Sequence, residues 1–91
     1  MIRVKLFGVL RDTVKSGEIT VPADLTIWQI MEHLKGRYGP AVGNLLFQEK
    51  DGGLVKRNPV VILIEGTSQT DLRRVIRDGE VVSIFPAIAG G

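Results

Sequence analysis

Thr26-Ile27-Trp28-Gln29-Ile30-Met31-Glu32-His33-Leu34-Lys35-Gly36-Arg37 is the stretch on which the fold turns. Thr26 and Gln29 stand at capping-box spacing: the hydroxyl accepts from the N–H of residue 29, and the amide side chain reaches back to the N–H of residue 26. Leu25 and Ile30 occupy the positions of a hydrophobic staple. Ile27, Ile30, Met31 and Leu34 recur at three-and-four spacing and so form one stripe, while Glu32 and Lys35 fall away from it. Residues 25–37 therefore read as an amphipathic helix, stopped by Gly36 and by Gly39-Pro40. One face of such a helix must be covered, and the flanking sequence predicts a sheet to cover it.

Upstream, Ile2, Val4 and Leu6 alternate with Arg3, Lys5 and Phe7, the period of a strand with one face inward. Glu18-Ile19-Thr20-Val21 alternates again before Pro22, which predicts an antiparallel hairpin whose long loop holds Arg11 and Asp12 and closes through Lys15-Ser16-Gly17. Downstream, residues 41–47 are either a short helical turn or irregular. Asp51-Gly52-Gly53 is a hairpin turn between short edge strands at 46–49 and 54–56. Residues 60–65 are apolar and rich in β-branched side chains, the pattern of a well-buried strand, ended by Gly66. Residues 68–77 are polar and short. Asp78-Gly79 turns the chain into a last strand at 80–85, and Pro86, which has no N–H to donate, ends the ladder. The fold class is α+β: a mixed sheet of about four to five strands with one main helix packed on one face. A single domain spans 1–91, with a flexible C-terminal tail at about 87–91.

Twelve basic and ten acidic residues leave a net charge of +2, too small for a nucleic-acid footprint. Without cysteine the chain has no disulfide, no thiolate nucleophile and no zinc–thiolate site, so any sulfur it handles is held by other chemistry. Met1-Ile2-Arg3-Val4-Lys5 does not resemble a signal peptide, and no apolar run reaches membrane-span length. The expectation is a cytoplasmic protein with no membrane or nucleic-acid partner.

The side chains offer no self-contained active site. His33, the one histidine, lies on the flank of the helix stripe and reads as a surface residue rather than a general base. Neither a phosphate-binding glycine loop nor a nucleophile elbow is present. Asp71 with Arg73 and Arg74, and Arg77 with Asp78, read as solvated charges, Lys56-Arg57 as a weak phosphate signal, and Trp28 as partly buried packing. No metal site is expected.

Two features remain. The chain runs out through Ala89-Gly90-Gly91, residues slender enough to enter a narrow active site with a carboxylate at the tip. Period two puts Phe7 on the sheet face opposite Ile2, Val4 and Leu6. With Phe85, Pro86 and Ile88 it forms an apolar patch leading into that tail, or else fills the rim of the core.

The run Asp78-Gly79-Glu80-Val81-Val82-Ser83-Ile84-Phe85-Pro86-Ala87-Ile88-Ala89-Gly90-Gly91 resembles the C-terminal signature of the small subunit of molybdopterin synthase (MoaD). Ile2-Arg3-Val4-Lys5-Leu6-Phe7-Gly8 with Arg11 is similar to that family's first strand and loop. The family's common pattern differs in having a proline pair where this chain has Pro86-Ala87, an Asn-Gly where it has Glu65-Gly66, and less chain between Gly39 and Pro59. MoaD and the related thiamine-pathway carrier ThiS are ubiquitin-like β-grasp sulfur carriers. The resemblance implies that a ubiquitin-activating-like adenylyltransferase uses Mg-ATP to adenylate the Gly91 carboxylate, and that a sulfur donor protein converts it to a thiocarboxylate. The large subunit of molybdopterin synthase would then receive the sulfur for the dithiolene of a molybdenum or tungsten cofactor. On the same resemblance Gly90 and Ala89 thread the tail, Phe7, Phe85, Pro86, Ile88 and Arg11 contact partners, and the chain itself binds no cofactor. Two other readings compete: a protein modifier or tRNA-thiolation carrier, and a β-grasp interaction module without chemistry.

Overall fold

The computed structural model describes residues 1–86. β1 (Ile2–Leu6), β2 (Glu18–Val21), β6 (Val61–Ile64), β7 (Thr67–Ser68) and β9 (Val81–Phe85) form one mixed sheet in the order β2-β1-β9-β6-β7. β1 and β9 run parallel at its centre, and the other pairings are antiparallel. Period two sorts the two faces. Ile2, Val4, Leu6, Ile19, Val21, Ile62, Ile64, Val82 and Ile84 are buried beneath the helices, whereas Arg3, Thr20 and Val61 are exposed on the other face.

The helix α2 (Ile27–Tyr38) carries the predicted stripe, with Ile27, Ile30, Met31 and Leu34 all buried. A fully buried side chain of this size contributes about 1.5–3 kcal/mol. The capping box is closed on both sides: Gln29 N–H donates to Thr26 Oγ1 at 3.1 Å and Thr26 N–H donates to Gln29 Oε1 at 2.8 Å. Gly36 does not stop the helix; Gly39 does, at φ +86°, with Pro40 opening α3 (Pro40–Leu46). The undecided segment is thus a helix, anchored by buried Val42 and Leu46.

One further expectation is corrected and others are sharpened. The loop said to hold Arg11 and Asp12 is the helix α1 (Gly8–Val14). It buries only Leu10 and lacks a side-chain N-cap, so neither a stripe nor a cap announces it. Residues 68–77 contain β8 (Val75–Ile76), which pairs with β3 (Leu25–Thr26) and buries Ile76. The carbonyls of Arg74 and Leu72 also accept from the first two N–H groups of α2, at 3.1 and 3.0 Å. This segment is a clamp on a helix end, and its partners are too distant in sequence for local pattern to reveal. The expected hairpin is present, with β4 (Phe47–Lys50) and β5 (Gly53–Lys56) paired as a ribbon separate from the main sheet and turned by Asp51 and Gly52 at positive φ. β6 buries one face only, since Val61 is 42% exposed.

Candidate functional site

The parallel pairing of β1 with β9 brings together two residues from opposite ends of the sequence. Phe7 N–H donates to the Ile84 carbonyl at 3.3 Å, extending the ladder one residue past β1. The Phe7 ring then lies flat on that of Phe85, centroids 4.2 Å apart and planes within 10°. Both rings are half-buried. An offset pair of this kind is worth about 0.5–1.5 kcal/mol beyond its buried area. The stack leaves part of each ring open to solvent. Pro86 follows at once and is buried. Ile88, Ala89, Gly90 and Gly91 lie outside the described residues.

The outer sheet face adds two residues that sequence reasoning missed. Val61 stands across from Phe85 in the β6–β9 register and Leu63 across from Ser83, so an apolar strip continues from the stack onto β6. No local signal marked them, because residues 60–64 are apolar throughout and no polar alternation separates an outer face from an inner one. Charge borders the strip: Lys5 is paired with Ser83 on the β1 side, and Arg3 donates to Glu18 Oε1 at 2.9 Å. That hydrogen bond with the Arg3 guanidinium holds the Glu18 carboxyl below the usual carboxylate range and raises Arg3.

Arg11 sits one turn beyond Phe7, its N–H donating to the Phe7 carbonyl at 3.4 Å. It is exposed, and its guanidinium lies against Gly17, where a Cβ would come within 3.4 Å of Nε. It flanks the aromatic pair rather than joining it.

The remaining polar candidates have structural work. Lys56 donates to the Val60 carbonyl and is pushed below the usual lysine range by burial, and Arg57 donates to the Asn44 carbonyl at 2.8 Å. Asp71 pairs with Arg73, as read from sequence, while Arg74 pairs with Glu80 and Arg77 with Asp24. Trp28 packs edge-on against Phe47 at 4.9 Å. His33 is half-buried. A cleft of about 710 Å³ between α2, α3 and the β4–β5 ribbon is lined by Glu32, Lys35, Gly43, Phe47, Leu54 and Arg57 among others, and shares no residue with the stack. Among the described residues no cluster of His, Cys, Asp or Glu suits a metal, and no helix is long and apolar enough to cross a membrane.

Against this geometry, the ThiS family matches residues 4–91 of the chain. The solution structure of small archaeal modifier protein 1 from Methanosarcina acetivorans is 25% identical, covers 99% of this chain and 95% of its own, and superposes with a TM-score of 0.83. The crystal structure of the Haloferax volcanii protein of the same name is also 25% identical, with 99% and 98% covered and a TM-score of 0.76. Mycobacterium tuberculosis CysO, 21% identical over 97% and 100% at a TM-score of 0.74, speaks to the fold alone. Curated proteins contain no significant sequence match. The shared architecture is the ubiquitin-like β-grasp: a five-stranded mixed sheet with helices on one face.

Proposed function

The chain belongs to the ThiS family of ubiquitin-like sulfur carriers, and from that premise we propose that it carries sulfur as a thiocarboxylate on Gly91, as the small subunit of a molybdopterin synthase. The observation that carries the reading is the Phe7–Phe85 stack at the root of a chain ending in Gly90-Gly91. A rigid aromatic edge gives a partner something to grip, and two residues without Cβ give it something to thread.

The chemistry needs no catalytic group from this chain. A Gly91 carboxylate oxygen attacks the α-phosphorus of Mg-ATP held by a ubiquitin-activating-like adenylyltransferase, and pyrophosphate leaves. The terminal sulfur of a donor persulfide then attacks the acyl carbon and AMP leaves, forming an acyl disulfide. A second thiol cleaves that S–S bond, releasing the thiocarboxylate and a disulfide between the two thiols. Phe7, Phe85, Pro86 and Ile88 dock the partners, with Arg11 at the margin. Gly90 and Ala89 pass through the active-site channel, and the large synthase subunit takes the sulfur. Dependence on ATP assigns the chemistry to the cytoplasm.

The test is intact-mass spectrometry after incubation with the adenylyltransferase, Mg-ATP and a sulfur donor. Replacement of one terminal oxygen by sulfur at Gly91 is expected, and a chain lacking Gly91 should accept none while keeping its unfolding midpoint. Thiocarboxylate formation on the shortened chain would sink the reading. A second reading is favoured by the 25% identity to small archaeal modifier protein 1: the acyl-adenylate passes to a lysine amine of another protein. Isopeptide-linked conjugates in cell extract would establish it.

A further inference from the structure

The outer face of the main sheet holds one charge that its neighbours do not answer. The register places Lys5 in a row with Glu18 on β2, Ser83 on β9 and, beyond it, Leu63 on β6. Phe7 is two residues further along the chain and so faces the same way, about 7 Å from Lys5. Glu18 stands directly across from Lys5, where opposite charges pair most readily. Its carboxylate instead accepts from Arg3 at 2.9 Å, in the next row. Glu65, at the end of β6, accepts from the Val81 N–H at 2.9 Å. The ion pairs formed among the described residues leave Lys5 out, and Lys5 is already half-buried.

A partner that grips the aromatic stack meets that ammonium as well. A specific interface covers about 800 Å² on each side, a patch wide enough that one centred on Phe7 and Phe85 also covers Lys5. Taking water from an unpaired ammonium costs more than apolar contact there returns, whereas a carboxylate brought to it replaces the lost hydration. The two flanks of the stack differ in this respect. On the β6 side stand Val61 and Leu63, which carry no charge; on the β1 side stand Lys5 and, at the margin, exposed Arg11. We propose that Lys5 is the electrostatic determinant of docking: it receives an aspartate or glutamate of the adenylyltransferase, while apolar side chains of the same enzyme cover the stack, Val61 and Leu63. The inference rests on the sulfur-carrier reading and adds to it the chemistry of the partner, an apolar ridge bordered on one side by acid. The same ammonium rejects a surface that is basic or wholly apolar at that point.

ATP–pyrophosphate exchange with the ubiquitin-activating-like adenylyltransferase reads KM for the carrier in four variants, each first checked against the wild-type urea midpoint. Lys5→Met keeps an unbranched apolar stem and removes the charge; KM is expected to rise at least about tenfold with kcat within about twofold. Lys5→Arg keeps the charge and stays within about threefold, while Lys5→Glu raises KM about a hundredfold. Because Lys5→Glu sets two carboxylates opposite each other across β1 and β2, Lys5→Met decides where that variant fails to fold. Lys50→Glu makes the same change in net charge from the separate β4–β5 ribbon and should leave KM within about twofold. The docking role is overturned if Lys5→Met leaves KM unchanged, or lowers it, which would assign the lysine to keeping an apolar face apart from other copies. It is also overturned if Lys50→Glu raises KM as much as Lys5→Glu, which makes the effect one of net charge. A wild-type chain that is not activated overturns the sulfur-carrier reading and the docking role with it. Activation of the wild type with KM indifferent to residue 5 overturns the docking role alone.

Discussion

The two faces of the main sheet are made by the same strands and obey different rules. On the inner face Ile84 and its neighbours Leu6 and Ile62 are sealed beneath helices, and each side chain is held by many others. On the outer face Phe85, one residue away, is half-buried against Phe7 and stands across from exposed Val61. Hydrophobic character alone does not separate structure from recognition; the partner that covers each residue does. The inner face is completed by this chain, and the outer face is the one proposed to meet a partner.

That contrast can be broken most forcefully at Ile84. Ile84→Ala should cost about 2–5 kcal/mol of stability in urea denaturation, the range for emptying a sealed core site. It should leave activation of the surviving folded protein nearly unchanged. Phe85→Ala should shift the balance: about 2 kcal/mol of stability from the half-buried ring's area and the lost stack together, but a rise of at least about tenfold in KM for the carrier in ATP–pyrophosphate exchange with the adenylyltransferase. Equal stability losses at the two positions would erase the distinction between the faces. Thr26→Ala removes one half of a capping box far from the proposed docking surface, so it should cost about 1 kcal/mol with no change in KM. A KM change there would extend the recognition surface to α2.

The smallest effect belongs to the charged border of the outer face. Glu18 has its folded pKa lowered, chiefly by the hydrogen bond with Arg3, so its stabilising contribution is present above its unfolded pKa. It is lost as pH falls through the lowered folded value. The stability gap between wild type and Glu18→Gln, measured by urea denaturation, should therefore exist at neutral pH, close in strong acid, and shrink with added salt because both groups are exposed. A gap that widened in acid would contradict the pairing.

How much of this was legible follows from the range of each interaction. α2 could be read from sequence because the Thr26–Gln29 box and the Ile27, Ile30, Met31, Leu34 stripe are local. Strands β1, β2 and β9 could be read because Ile2, Val4, Leu6 and their counterparts alternate. α1 escaped because one buried leucine makes no stripe, and β8 because its two residues serve β3 and the start of α2 from far along the chain. Phe7 and Phe85 were read as members of one apolar patch, but not as a ring-on-ring stack, which the parallel β1–β9 pairing creates.

The place of β9 between β1 and β6 also bears on when this protein exists at all. β1 has β9 as its central neighbour, and everything from residue 7 to residue 80 must be synthesised before that pair can close. Such long-range pairing folds late and slowly. A nascent chain, or one truncated before Val81, holds no sheet centre and no aromatic grip. Under the proposed function, an activating enzyme that docks on the aromatic stack would thus meet only chains in which β9 has already been made and paired.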